Sequence, residues 1–395
     1  MFMPSTSKIQ ALNFEYIPIG KHGRKNLYVC LNQNLLIFLW ALISKGNCLD
    51  FEKKSLLQIS RTLKKFVFIL GKIFLYRFNG SQFNNSIKHP HFGHFCVNTN
   101  NGYKLFDLQK KVAIKLLSEK TSLQKFHQEL NRVRTVGTFN FAPSVLKWSM
   151  EERWYEEECL EGYRPDDSTR KRFLQSIQEF VVPLIENIFT SSSPQPIHPW
   201  DYALKQKYHF FGVESYLSQK DLDPTKVSIV REFVKRIIQL LENSKTSTIF
   251  LTLTHGDLSF GHIRVARNGV MAIDWEACEH RSALYDFHDL FFKQPWQRPA
   301  WPGFKSDMTG AIVHLQRHMA RQNNLDIKKL SSSLLEPDTY RLVYYIERLA
   351  KLVKTKNLTD SVLDKSIIPK ITIYTAIEKT SYHTSPAIME DFSRH

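Results

Sequence analysis

The chain has 395 residues, 43% of them hydrophobic and 23% charged, which is the composition of a folded protein rather than a disordered one and leaves room for two or three lobes. Its formal charge of +16 points to anionic partners such as nucleotides, phosphorylated metabolites, nucleic acid or an anionic membrane, or to solubility alone. Cys30, Cys48, Cys96, Cys159 and Cys278 form no CxxC pair, which argues against a disulfide scaffold or a zinc site and for a reducing compartment.

The N-terminal stretch "MFMPSTSKIQALNFEY" lacks a basic-then-apolar leader pattern. The longest apolar run, Leu35 to Ile43, is far short of the roughly 20 residues that span a bilayer. The expected location is cytoplasmic, with a peripheral place at the inner face of the membrane open to it. Residues 1–80 read as a basic N-terminal extension of helical character. "NLLIFLWALIS" suits a buried helix. Leu56, Ile59, Leu63 and Phe66 then recur at helical spacing among Lys53, Arg61, Lys64 and Lys65. Such a helix either packs on the rest of the protein with a solvated basic face or lies on an anionic membrane surface.

Residues 81–161 read as a small β-rich lobe. "HFGHFCV", "YKLFDL" and "VAIKLL" are short, apolar strand-like segments, with Asn101-Gly102 as a hairpin turn. "SLQKFHQELNRVRTV" follows as a helix with Leu123, Phe126, Leu130 and Val133 on one face. "FAPSVLKWSMEERWYEEECLEG" supplies two more strands. His89, His91 and His94 alternate as at a polar strand edge.

Residues 162–395 read as a helical lobe. "DPTKVSIVREFVKRIIQLLENSK" is the clearest helix, capped by Asp223 with Pro224 in the first turn. "TYRLVYYIERLAKLVKTK" is another, and "TSSSPQPIHPW" a surface loop. Within this lobe "HGDLSFGH" is a turn-rich loop, and "IRVARNGVMAID" a β-hairpin around Asn268-Gly269. Asp257 precedes the hairpin and Asp274 ends it. A hairpin returns its two ends to one place, so both carboxylates are expected near one point. Phosphoryl transfer uses such a pair, one carboxylate for the acceptor hydroxyl and one for a metal ion on the phosphates.

"HGDLSFGHI" with "AIDWE" resembles the catalytic and metal-binding loops of the aminoglycoside phosphotransferase and choline kinase group, a branch of the protein-kinase-like fold. The resemblance covers about residues 90 to 295. It implies a bilobal α+β fold and ATP-dependent phosphorylation of a hydroxyl on a small molecule. The acceptor class is a sugar, a saccharide-like compound or an amino-alcohol, with a cell-envelope precursor among the options. Asp257 would be the catalytic base and Asp274 the magnesium ligand. Lys115, ending "VAIK", would hold the nucleotide phosphates with Glu129 as its partner, although Lys110, Lys111 and Glu119 stand close by in sequence. Backbone groups of Glu158, Cys159 and Leu160 in "YEEECLEG" would meet adenine, and Asp286 in "ALYDFHDL" matches a structural acid.

Two departures stand out. Where the group has asparagine, five residues after the catalytic Asp, this chain has His262. Imidazole nitrogen suits softer metals than magnesium. One metal is then lost, replaced by manganese, or held by Asp274 and water, and His262 is a ligand, a phosphate contact or loop packing. A glycine-rich phosphate loop is also missing. The rival reading is a catalytically weak or inactive kinase-like fold, kept for nucleotide sensing or for scaffolding at a membrane or polyanion. No specific nucleic-acid signature is present.

Overall fold

The computed structural model describes residues 14–22, 25–30, 87–99, 101–206, 222–246, 248–267, 269–293, 304–323, 336–355 and 359–380. The chain forms two compact units. The first comprises residues 1–164 and 263–276, and the second 165–262 and 277–395. The α+β reading with a β-rich first unit and a helical second one is what the structure has. The division places the hairpin after His262 with the β-rich unit, because its contacts lie there.

The first unit is built on an eight-stranded antiparallel sheet of order β3-β1-β2-β4-β5-β6-β8-β7. The strands are β1 (Phe14–His22), β2 (Lys25–Cys30), β3 (Ile87–His89), β4 (Phe95–Thr99), β5 (Gly102–Asp107), β6 (Val112–Leu117), β7 (Val145–Ser149) and β8 (Trp154–Glu158), with helix α1 (Leu123–Val136) between β6 and β7. The segments expected as strands around Cys96, Leu105 and Ile114 pair as successive hairpins. The N-terminal stretch departs from its helical expectation: Phe14–His22 and Lys25–Cys30 are antiparallel strands, and the second pairs with β4 and lengthens the sheet. The expected helices between Leu35 and Phe66 lie outside the described residues.

Strand alternation decides what each sheet face carries. Leu105, Ile114 and Leu116 point into one apolar cluster with Tyr16, Tyr28, Cys30 and Cys96. Lys104 and Lys115 lie on the opposite face. Tyr16 ties the N-terminal hairpin into this cluster, since its hydroxyl donates to the His91 carbonyl at 3.0 Å and accepts from Gly93 N–H at 2.8 Å. Tyr16→Phe is therefore expected to lose about 1–3 kcal/mol by removing the acceptor of the buried Gly93 N–H, read as a lowered urea midpoint. A variant as stable as wild type would remove this anchor. His94 is not an edge residue but is buried, with its Nδ1 accepting from Leu108 N–H at 3.2 Å.

Helix α1 starts at Ser122, whose hydroxyl accepts from Lys125 N–H, and buries Phe126, Glu129, Leu130 and Val133. Leu123, expected on the same face, is exposed. The hairpin of β11 (Ile263–Ala266) and β12 (Gly269–Ala272) pairs Ile263 with Ala272. It is fastened to this unit through a Tyr163–Val265 bridge and a bond from Ala272 N–H to the Phe141 carbonyl at 2.8 Å.

The second unit is mainly helical. Among the described residues its longer helices are α2 (Arg170–Ser176), α3 (Val182–Ser191), α4 (Pro224–Glu242), α5 (Tyr285–Phe292), α6 (Phe304–Asn323), α7 (Pro337–Thr355) and α8 (Ile368–Thr380). A small sheet of order β13-β10-β9 joins them, from β9 (Gln195–Ile197), β10 (Ile249–Thr254) and β13 (Glu279–Ser282). β9 lies in the stretch read as a loop; three residues borrow their ladder from β10, a pairing that local composition does not show. α4 has the expected Asp223 cap, accepting from Thr225 N–H at 2.8 Å. It buries Val230, Phe233, Val234, Ile237, Ile238 and Leu241, each contributing about 1.5–3 kcal/mol, and packs on α7 and α8. Among the described residues no helix is long and apolar enough to cross a membrane.

Candidate functional site

In the second unit the His255-Gly256-Asp257 turn follows β10 directly. Gly256 has φ +78°, and a Cβ there would collide with the Ala277 carbonyl and with Arg281. Only glycine fits. The turn's backbone is held from two helices. Asp286, in the first turn of α5, accepts from His255 N–H at 2.5 Å and from Gly256 N–H at 2.8 Å. Lys351 of α7 donates to the Gly256 carbonyl. Burial, with Arg281 and Arg348 nearby, holds the Lys351 ammonium down at about 8.

Asp257 emerges from this fixed turn with its side chain 54% exposed. Its Oδ1 accepts from Lys293 Nζ at 2.8 Å. Lys293 also donates to the Leu258 carbonyl at 3.0 Å and pairs with buried Asp289 at 2.7 Å. Partial burial alone would raise the Asp257 carboxyl. The Lys293 ammonium outweighs it, helped by His262 and Lys351, and holds the group below the usual range. Asp257 is thus ionised and oriented. Sequence reading missed Lys293 and Lys351; the i,i+4 spacing of Asp289 on α5 and Lys293 at its C-cap was the available signal for the first.

His262 ends a short 3₁₀ turn, Phe260–His262. Its Nδ1 faces the Asp257 carbonyl at 2.9 Å and its ring stacks on His255. A carbonyl accepts, so Nδ1 is the donor of this contact and Nε2 is the ring nitrogen pointing away from it.

The first unit holds the other constellation. Lys115 on β6 and Glu129 on α1 meet at 2.9 Å, both buried, and the Tyr155 hydroxyl donates to the same Glu129 oxygen at 3.3 Å. Lys110 and Lys111 lie elsewhere, on Asp107 and Glu161. Lys115 also pairs with Glu276. Asp274 follows β12 with φ +65°, a left-handed conformation that aspartate tolerates better than most residues. Its Oδ1 accepts from Lys104 Nζ at 2.7 Å, and Lys104 also pairs with Glu157 at 2.8 Å. Lys104, Glu157 and Glu276 were absent from the sequence reading. At the end of β8, Glu158 N–H donates to the Ser144 carbonyl at 3.1 Å and Cys159 N–H to the Lys111 carbonyl at 2.8 Å. Those two N–H groups are committed inside the unit.

Among the described residues no group of three or more His, Cys, Asp or Glu side chains is arranged to hold a metal. Magnesium commonly takes one or two carboxylates and completes its shell with phosphates and water. The Asp274 carboxylate fits that mode, whereas an all-protein cage does not.

No protein-family model matches the chain, and no curated protein matches it. Solved structures do. The chain is similar to an ethanolamine kinase from Plasmodium vivax, at 13% identity over 82% of this chain and 94% of that one, TM-score 0.44. It is similar to the amicoumacin kinase hAmiN, solved with AMP-PNP, Ca2+ and "Ami", at 13% identity over 72% and 86%, TM-score 0.42. It is also similar to the aminoglycoside phosphotransferase APH(4)-Ia, solved with ADP and hygromycin B, at 14% identity over 79% and 99%, TM-score 0.41. The group that the sequence resembles is thus represented among the structural matches.

Proposed function

We propose that the chain is an ATP-dependent phosphotransferase that phosphorylates a hydroxyl of a small molecule, a sugar, saccharide-like compound or amino-alcohol. The observation that carries this reading is Asp257, an exposed, ionised carboxylate on a turn whose backbone is held by Asp286 and Lys351. A base of this kind orients the acceptor hydroxyl and takes its proton as the hydroxyl oxygen bonds to the γ-phosphorus. The bond from that phosphorus to its bridging oxygen breaks, and ADP leaves. Lys293 occupies Oδ1, so Oδ2 is the oxygen assigned to the acceptor proton.

Lys115 is assigned to the nucleotide phosphates, with Glu129 holding its ammonium in place. Adenine is assigned to the stretch Glu158–Leu160 through groups other than the Glu158 and Cys159 N–H. Magnesium, or manganese, would be held by Asp274, with His262 Nε2 as the candidate in the second position, and would supply charge neutralisation on the phosphates. Preorganised position and charge supply most of the catalysis in such a reaction.

The test is thermal stability of wild type and Asp274→Asn with ATP alone, ATP plus magnesium and ATP plus manganese. Ligand at about 100 times its dissociation constant stabilises by about 2.7 kcal/mol, which in a chain of this size moves Tm by about a degree or more. A metal-dependent shift in wild type that disappears in Asp274→Asn is expected. No shift under any condition would replace this reading with that of a scaffold.

A further inference from the structure

Lys104 stands directly opposite Lys115 across the β5–β6 ladder. Like charges in that position destabilise a sheet unless other groups compensate. Here the compensation is more than complete. Glu157 and Asp274 pair with Lys104, and Glu129 and Glu276 with Lys115, so four carboxylates face two ammoniums. Lys104 is only 12% exposed in its side chain. Its ammonium lies 2.7 Å from Asp274 Oδ1 and 2.8 Å from Glu157 Oε1. A lysine kept charged beneath a sheet, with an equally buried lysine beside it, has a costlier arrangement than packing requires.

Asp274 adds the second observation. Its Oδ1, on the carboxylate assigned to the metal, already carries a cation, the Lys104 ammonium, at 2.7 Å. A divalent ion arriving on that carboxylate meets a positive charge already in contact with it. A polyphosphate, with several negative oxygens, is a stronger partner for an ammonium on a flexible four-carbon stem than one carboxylate is.

We infer that Lys104 is a second phosphate-binding cation that competes with the divalent ion for Asp274, holding this carboxylate in the nucleotide-free protein and passing to the polyphosphate when nucleotide binds. This rests on the nucleotide reading of the Lys115–Glu129 pair. It gives the protein a metal-independent component of nucleotide affinity, and it couples nucleotide and metal binding through one side chain.

The experiment is calorimetric titration of wild type and Lys104→Met with ATP in EDTA, and a separate titration of each with Mn2+ in the absence of nucleotide, followed by the spectroscopic signal of free Mn2+. Lys104→Met should bind metal-free ATP about tenfold more weakly, the loss of one charge-assisted contact. It should bind Mn2+ more tightly, because Asp274 is released. A structural role for Lys104 does not produce opposite signs. Unchanged metal-free ATP affinity, or Mn2+ affinity that stays level or falls, would overturn the proposal while leaving the nucleotide site standing. Absence of ATP binding to wild type under every condition would instead remove the nucleotide reading, and this proposal with it. Lys104→Met leaves Glu157 without its ammonium. If that variant does not fold, Lys104→Met with Glu157→Gln removes both charges and is judged by the same two signs. Asp274→Asn, which frees Lys104 without removing it, should bind metal-free ATP more tightly than wild type.

Discussion

Asp257→Asn is expected to keep nucleotide binding and to slow phosphoryl transfer by about 10²–10⁴-fold, the range a positioned general base supplies. The substitution is close to isosteric and the side chain is exposed, so the turn itself should survive. A carboxamide at this position is not a base at any pH at which the protein is folded, and its amide nitrogen would face the Lys293 ammonium or the acceptor with a donor where an acceptor is needed. The melting temperature with ATP should therefore shift as in wild type while turnover collapses. A turnover within about threefold of wild type would take Asp257 out of the chemistry and, given the range above, leave the turn as a structural feature only.

Asp286→Ala is the largest stability effect expected outside the apolar core, about 2–4 kcal/mol, because it strips partners from two buried N–H groups at once. It should also lower activity through Asp257, since His255 and Gly256 carry the turn. The same carboxylate has a pH signature. Burial holds it up at about 6, against the pull of the Gly256 and His255 N–H groups and of Arg281, whereas an unfolded aspartate titrates at about 3.9. The folded chain keeps this proton more tightly than the unfolded chain. Between about pH 4 and 6 the stability contributed by this group therefore falls as pH rises, and it is level above that window. Urea midpoints measured across the window in wild type and Asp286→Ala should show the wild-type curve losing stability relative to the variant with rising pH. Parallel curves would mean that Asp286 does not titrate there, and a stability loss below about 0.5 kcal/mol would mean that the turn does not depend on it.

Residue spacing alone was enough for the elements whose signals are local. α4 carries its own cap, first-turn proline and apolar stripe. β4, β5 and β6 carry β-branched and aromatic runs separated by turn residues. The His255-Gly256-Asp257 turn requires a glycine at a left-handed position. The pairing of Lys115 with Glu129 was expected from the resemblance of "VAIK" to a kinase strand, and the two side chains do meet. β9 was not legible, since a three-residue strand is defined only by the neighbour it pairs with, and the N-terminal hairpin was misread because its partner strand begins more than sixty residues later.

Periodicity, capping and turn chemistry act within a few residues, so most of the elements and the glycine-dependent turn at His255-Gly256-Asp257 could be read from the chain before it folds. The cation that accompanies each carboxylate could not. Lys104 reaches Asp274 across 170 positions, Lys351 reaches the Gly256 carbonyl across 95, and Lys293 reaches Asp257 across 36. Ion pairing depends on distance in space and on the solvent excluded around the pair, and neither quantity exists until the chain has folded.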